Sequence, residues 1–136
     1  KAEGKYYLPA CDEPIGLVDV RDAAAVTVAC LLDPRQTGCI RTVTGADSLT
    51  MTECAARMTA VLGRRIDYVP LPPEAFRAAM LGAGAPDWLA DGMNELYASA
   101  RIGNKDVLTT AVQRLLGRAP ISFDRFVADH AAAFNP

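Results

Sequence analysis

Residues 15–34, IGLVDVRDAAAVTVACLLDP, decide how the chain is built. The first six are an apolar run of the length of a short buried strand, and an alanine-rich series follows at once. Ala25, Val26, Ala29 and Leu32 recur at helical spacing behind Asp22, a good N-cap residue. The stretch therefore reads as a strand over 15–20 feeding a helix over 22–32, with Asp22 as cap and Asp33-Pro34 as the stop. A buried strand delivered into a helix is the repeating unit of an α/β sheet. Asp19 is a carboxylate inside that apolar run, costly unless paired; Arg21, two residues on and on the same face, is one candidate partner, and the alternative is that either side chain faces a cleft.

Working outward, residues 6–14 (YYLPACDEP) read as a loop with prolines at 9 and 14. Residues 39–45 (CIRTVTG) give a second strand, rich in β-branched residues and ended by Gly45. Thr50 and Glu53 form a capping-box pattern, in which each side chain satisfies a free N–H of the first helical turn. Met51, Cys54, Ala55, Met58, Val61 and Leu62 then share one face, and Gly63 supplies the left-handed stop. Residues 65–71 (RIDYVPL) make a third strand, held to an edge or a strand end by Pro70 and Pro72. From Pro73 onward the pattern is helical, and Ser122 caps the last helix. VLGRR and LLGRA, at 61–65 and 115–119, are two glycine-capped helix ends rather than a repeat.

Composition sets the outer bounds. Of 136 residues 51% are apolar and 22% charged, enough for a packed core, and the formal charge is −2. Lys and Arg form no basic stripe interleaved with aromatics, so nucleic-acid binding by this segment is not expected. No apolar run has the length of a membrane span, and the start has no signal-peptide core, so the expectation is a soluble cytoplasmic protein. Cys11, Cys30, Cys39 and Cys54 form no C-x-x-C pair, which points to reduced thiols and no metal site.

The familiar catalytic patterns are weak. GAG at 82–84 breaks the dinucleotide fingerprint and lies between helices. GADSLTMTE at 45–53 runs from a strand into a helix, but Thr50 and Glu53 already occupy that N-terminus. Tyr97 and Arg101 stand four apart like a Tyr-x-x-x-Lys pair, on a stripe with Trp88, Leu89, Met93, Leu96 and Ala100 that reads as core. His130 has no nucleophile motif to serve. Phe76, Met80, Trp88, Met93 and Tyr97 read either as helical core or as the wall of an apolar pocket, with the Tyr97 hydroxyl at its rim.

Taken in order, residues 15–34, RTVTGADSLTMTECAARMTAVLGR, PPEAFRAAMLGAGAPDWLADGMNELY and LLGRAPISFDRFVADHAAAF resemble the C-terminal half of NmrA-like proteins. These are atypical short-chain dehydrogenases/reductases, with NAD(P)H:quinone reductase and azoreductase-like members. The resemblance implies an α/β fold, the C-terminal portion of a Rossmann-type NAD(P)-binding fold plus a mainly helical substrate lobe. Residues 1–46 would complete the sheet, and 47–136 would form the lobe with one further strand at 65–71. It implies NADP or NAD as cofactor, held mainly by a glycine-rich N-terminal half that this chain does not contain, and hydride chemistry supplied by the nicotinamide. Tyr7, Leu8 and Pro9 would lie near the nicotinamide end, while Phe76, Met80, Trp88, Met93 and Tyr97 would bind a quinone-like or similar small acceptor. The expected partners are that small-molecule substrate and the missing half, with room for a homo-oligomer. The alternative within the family is a non-enzymatic, redox-sensing NAD(P)-binding regulator that contacts a protein partner.

Overall fold

The computed structural model describes residues 3–10, 12–101 and 106–134, without the side chains of residues 100 and 101. Cys11 lies outside the described residues, and the expectations for Ala100 and Arg101 rest on side chains outside them. Strand β1 (Lys5–Leu8) is followed by α1 (Val20–Leu32), a single 3-10 turn at Pro34–Gln36, α2 (Met51–Leu62) and β2 (Asp67–Pro70). Helices α3 (Pro73–Gly82), α4 (Asp87–Arg101), α5 (Ala111–Leu116), α6 (Phe123–Asp129) and α7 (Ala131–Phe134) complete the order. β1 and β2 pair in parallel, with Lys5 opposite Asp67 and Leu8 opposite Pro70. Pro70 ends its strand, where its missing N–H costs the ladder least.

The helices follow their local signals closely. α2 has the full capping box, with Thr50 Oγ1 accepting from the Glu53 N–H at 3.0 Å and Glu53 accepting from the Thr50 N–H at 2.8 Å. Gly63 ends it at φ 65°, and Gly117 ends α5 the same way at φ 67°. Pro73 opens α3, and Ser122 caps α6.

The strands depart from expectation, each for a reason of pairing. Residues 6–8, read as loop, belong to β1, because 67–70 offers them a parallel ladder. Residues 15–20 form no strand. Only Ile15 pairs, in an antiparallel bridge with Leu49, and α1 already begins at Val20. Residues 39–45 have strand composition but join no ladder among the described residues, and Ile40 is 94% exposed. A strand exists only where a neighbour accepts its hydrogen bonds.

Asp22 is not the cap of α1. Asp19 holds that position, accepting from the Arg21 N–H at 2.8 Å and from Arg21 Nε and Nη2 at 2.9 and 2.7 Å. The expected Asp19–Arg21 pair is present, and Arg21 reaches on to Asp129 at 2.8 Å. Asp22 is fully buried instead. It accepts from the Ile121 N–H at 2.6 Å and pairs with Arg118 at 2.6 Å, pinning α1 to the turn beyond α5.

Packing runs in pairs, α1 on α5, α2 on α6 and α3 on α4, with β2 lying on α2. The core gathers Ala10, Leu49, Met51 and Cys54, with Tyr6, Leu8, Tyr68, Tyr97 and Phe123 packed around them. The other side of α1 is left uncovered: Val20, Val28, Leu31 and Leu32 are between 53% and 79% exposed. A helix apolar on both sides normally has both sides buried.

Candidate functional site

Alternation along β1 turns Tyr6 and Leu8 toward α2, while Lys5 and Tyr7 face outward. On α2, Met51, Cys54 and Met58 fall on one helical face and look back at them. Between these two surfaces lies a cavity of about 440 Å³, bordered also by Tyr97 from α4, Phe123 from α6 and Phe134 from α7. Its walls are almost wholly apolar, and its volume falls within the range of small-molecule sites. A second hollow of about 290 Å³ shares Leu17 and Phe123 with it.

The polar atoms around the cavity are sharply divided. The Tyr6 hydroxyl donates to the Met51 carbonyl and the Tyr68 hydroxyl to the Ala10 carbonyl, so both phenols are engaged in holding β1 and β2 to the core. Their rings sit 5.4 Å apart, tilted. Burial holds the Tyr6 phenol well above the usual tyrosine range, and it pushes the Cys54 thiol up to about 11. Cys54 is accordingly a buried hydrophobe at neutral pH, not a nucleophile. Tyr97 differs: its ring meets Phe76 edge-on at 5.8 Å, and its hydroxyl has no hydrogen-bond partner among the described residues. Burial raises its pKa too, and the residue borders the cavity.

The expected substrate residues divide accordingly. Tyr97 borders the cavity and Phe76 buttresses it from behind. Met80 and Met93 do not border it, and Trp88 is 74% exposed on the outer side of α4. Of 7–9, Leu8 lines the cavity and Pro9 is buried at the end of β1, whereas the exposed Tyr7 bonds Glu3 at 3.3 Å. The sequence reading missed Tyr6, Met51, Met58, Phe123 and Phe134. The α2 face was visible as a stripe, but what it faces depends on β1. His130 lies away from the cavity, stacked 4.7 Å from Phe126, with Nδ1 at 2.9 Å from the Phe126 carbonyl.

Among the described residues, the N-termini of α1, α2 and α3 offer a dinucleotide diphosphate no cradle. The N-terminus of α1 is filled by the Asp19 carboxylate, that of α2 by Thr50 and Glu53, and that of α3 by Pro72-Pro73. An anion at either of the first two would meet a carboxylate. These residues do not fit the pyrophosphate of NAD(P). Among the described residues no group of three or more His, Cys, Asp or Glu could hold a metal, and no helix is long and apolar enough to cross a membrane.

No family model matches the chain. It is 37% identical over 135 residues to an NAD(P)H azoreductase of Xenophilus azovorans, an alignment covering 99% of this chain and 47% of that protein. A (4-alkanoyl-5-oxo-2,5-dihydrofuran-3-yl)methyl phosphate reductase of Streptomyces griseus is 35% identical over 125 residues, 92% of this chain and 44% of the relative. Among solved structures, an NADPH-dependent quinone oxidoreductase of Escherichia coli complexed with NADPH superposes with a TM-score of 0.84 at 25% identity, over 98% of this chain and 46% of that one. The chain thus spans about half the length of the curated relatives it matches. It has an α/β Rossmann-like reductase fold and is similar, along nearly all of its length, to NAD(P)H-dependent azo and quinone reductases.

Proposed function

We propose that this chain is the acceptor-binding part of an NmrA-like, NAD(P)H-dependent oxidoreductase that reduces a flat, quinone-like small molecule. The observation that carries the proposal is the 440 Å³ apolar cavity with one uncommitted phenol at its wall. A planar ring fits between the Met51 and Met58 thioethers and the Phe123 ring, contacts that thioethers and aromatics favour. The Tyr97 hydroxyl donates to a carbonyl oxygen of the acceptor, and the apolar walls exclude water around it. Cofactor binding falls to sequence outside this chain, with the 7–9 segment nearest the nicotinamide. The bare side of α1 and the unpaired 39–45 segment support the same view, since a larger sheet covers both.

The test is NADPH and NADH oxidation by the full-length protein against a panel of quinones and azo compounds. Acceptor-dependent oxidation is expected. Tyr97→Phe should raise KM for a quinone about fivefold, the value of one hydrogen bond of about 1 kcal/mol. Tight cofactor binding with no turnover of any acceptor would overturn the enzyme and favour the regulator, for which the exposed Trp88 side of α4 is the contact surface to examine.

A further inference from the structure

Around the end of α1 lie two adjoining hollows that share no residue with the acceptor cavity. The first, of about 420 Å³, is bordered by two free thiols. Val26 and Cys30, one turn apart on α1, line one side of it, and the alternate residues Cys39, Arg41 and Val43 line the other. Cys30 sits in the last turn of α1 and Cys39 opens the 39–45 segment, so both stand where the chain turns back. That turn is held by the Cys39 N–H, which donates to the Gln36 carbonyl at 3.0 Å, and by Gly38 at a φ of +73°. Cys39 is exposed and Cys30 half-buried. The second hollow, of about 570 Å³ and largely polar, shares Asp33, Gln36 and Arg41 with the first. Arg35, Arg41 and Arg114 border it against one carboxylate, Asp33, which Arg35 already pairs at 2.9 Å. Arg41 bonds the Gln36 amide oxygen at 2.8 Å, and neither it nor Arg114 pairs with a carboxylate among the described residues.

An excess of guanidinium beside an exposed thiol suits a ligand that carries both carboxylates and sulfur. We propose that Cys39 is a thiol–disulfide exchange site for anionic low-molecular-weight disulfides of the glutathione type, with Cys30 as its resolving partner and Arg41 and Arg114 holding the carboxylates. In the first step the Cys39 sulfur, its proton lost to solvent, attacks one sulfur of the ligand. A bond from Cys39 to that sulfur forms, the ligand's own S–S bond breaks, and one thiol leaves. In the second step the Cys30 sulfur attacks the Cys39 sulfur, which releases the other thiol and leaves a Cys30–Cys39 disulfide. The pair gives up two electrons and two protons, and the incoming disulfide takes them up as two thiols. The new bond closes the loop over 30–39 and ties the start of the 39–45 segment to the last turn of α1.

The experiment treats the reduced full-length protein with glutathione disulfide and, separately, with cystamine, a disulfide of opposite charge, and maps the products by mass spectrometry of unreduced peptides. The unmodified protein should end with a Cys30–Cys39 bond. Cys30→Ser should stop at a mixed disulfide of Cys39 with glutathione, and Cys39→Ser should leave Cys30 reduced. Arg41→Gln combined with Arg114→Gln should lower the rate with glutathione disulfide, relative to that with cystamine, about fivefold, and added salt should lower the same ratio in the unmodified protein. No glutathione on Cys39 in Cys30→Ser, a mixed disulfide that persists in the unmodified protein, or a rate ratio indifferent to both arginines would overturn the proposal. If the double arginine variant fails to fold, the salt dependence decides, and a salt-independent ratio overturns it. These readings need no acceptor, so they stand or fall apart from the reductase proposal.

Discussion

Arg118→Met should lower the unfolding free energy of the full-length protein by about 3 kcal/mol, although the Arg118 side chain is 45% exposed. An exposed ion pair is ordinarily worth about 0–1 kcal/mol. The difference lies in the partner: Asp22 is fully buried, and once the guanidinium is gone its carboxylate keeps only the Ile121 N–H. The cost is that of a stranded charge. Asp22→Asn in the same background removes that charge while leaving an oxygen for Ile121, so the double variant should recover more than half of the loss. Urea unfolding of the four proteins gives the cycle. A loss below about 1 kcal/mol for Arg118→Met would mean that the pair acts as an ordinary surface contact.

The second large effect is expected at Gly45. Its Cβ would fall 2.0 Å from the Leu17 carbonyl oxygen, and backbone cannot rotate out of the way as a side chain can. Gly45→Ala should therefore cost about 2–3 kcal/mol, at the upper end of overpacking. It should also weaken ligand binding, because Leu17 borders both hollows. Gly82→Ala is the matched control. No atom lies within 4 Å of a Cβ there, so in the last turn of α3 the change should be neutral or slightly stabilising. Thermal or urea unfolding of the two variants separates a requirement for space from a general intolerance of alanine.

Helices were legible in the sequence because their signals are local. The Thr50–Glu53 box, the glycine stops at 63 and 117, the proline opening α3 and the Ser122 cap all act within one turn. Strands were not, because a strand is defined by its neighbour. Residues 6–8 look like loop beside Pro9 yet pair with 68–70, while residues 39–45 look like strand yet find no ladder among the described residues. Asp19 and Asp22 are equally good caps on composition. What separates them is Ile121, 99 residues further on, which claims Asp22 for a buried bond. The same limit applies to the pocket. Tyr97 and Phe76 could be singled out as part of an apolar helical set, but the opposing wall comes from β1, α6 and α7.

The most direct test of the acceptor pocket is a crystal structure of the full-length protein soaked with menadione. The ring should lie between Met58 and Phe123, with a quinone oxygen within hydrogen-bond reach of the Tyr97 hydroxyl. A ring bound elsewhere, or a cavity between β1 and α2 filled by another segment of the protein, would contradict the account.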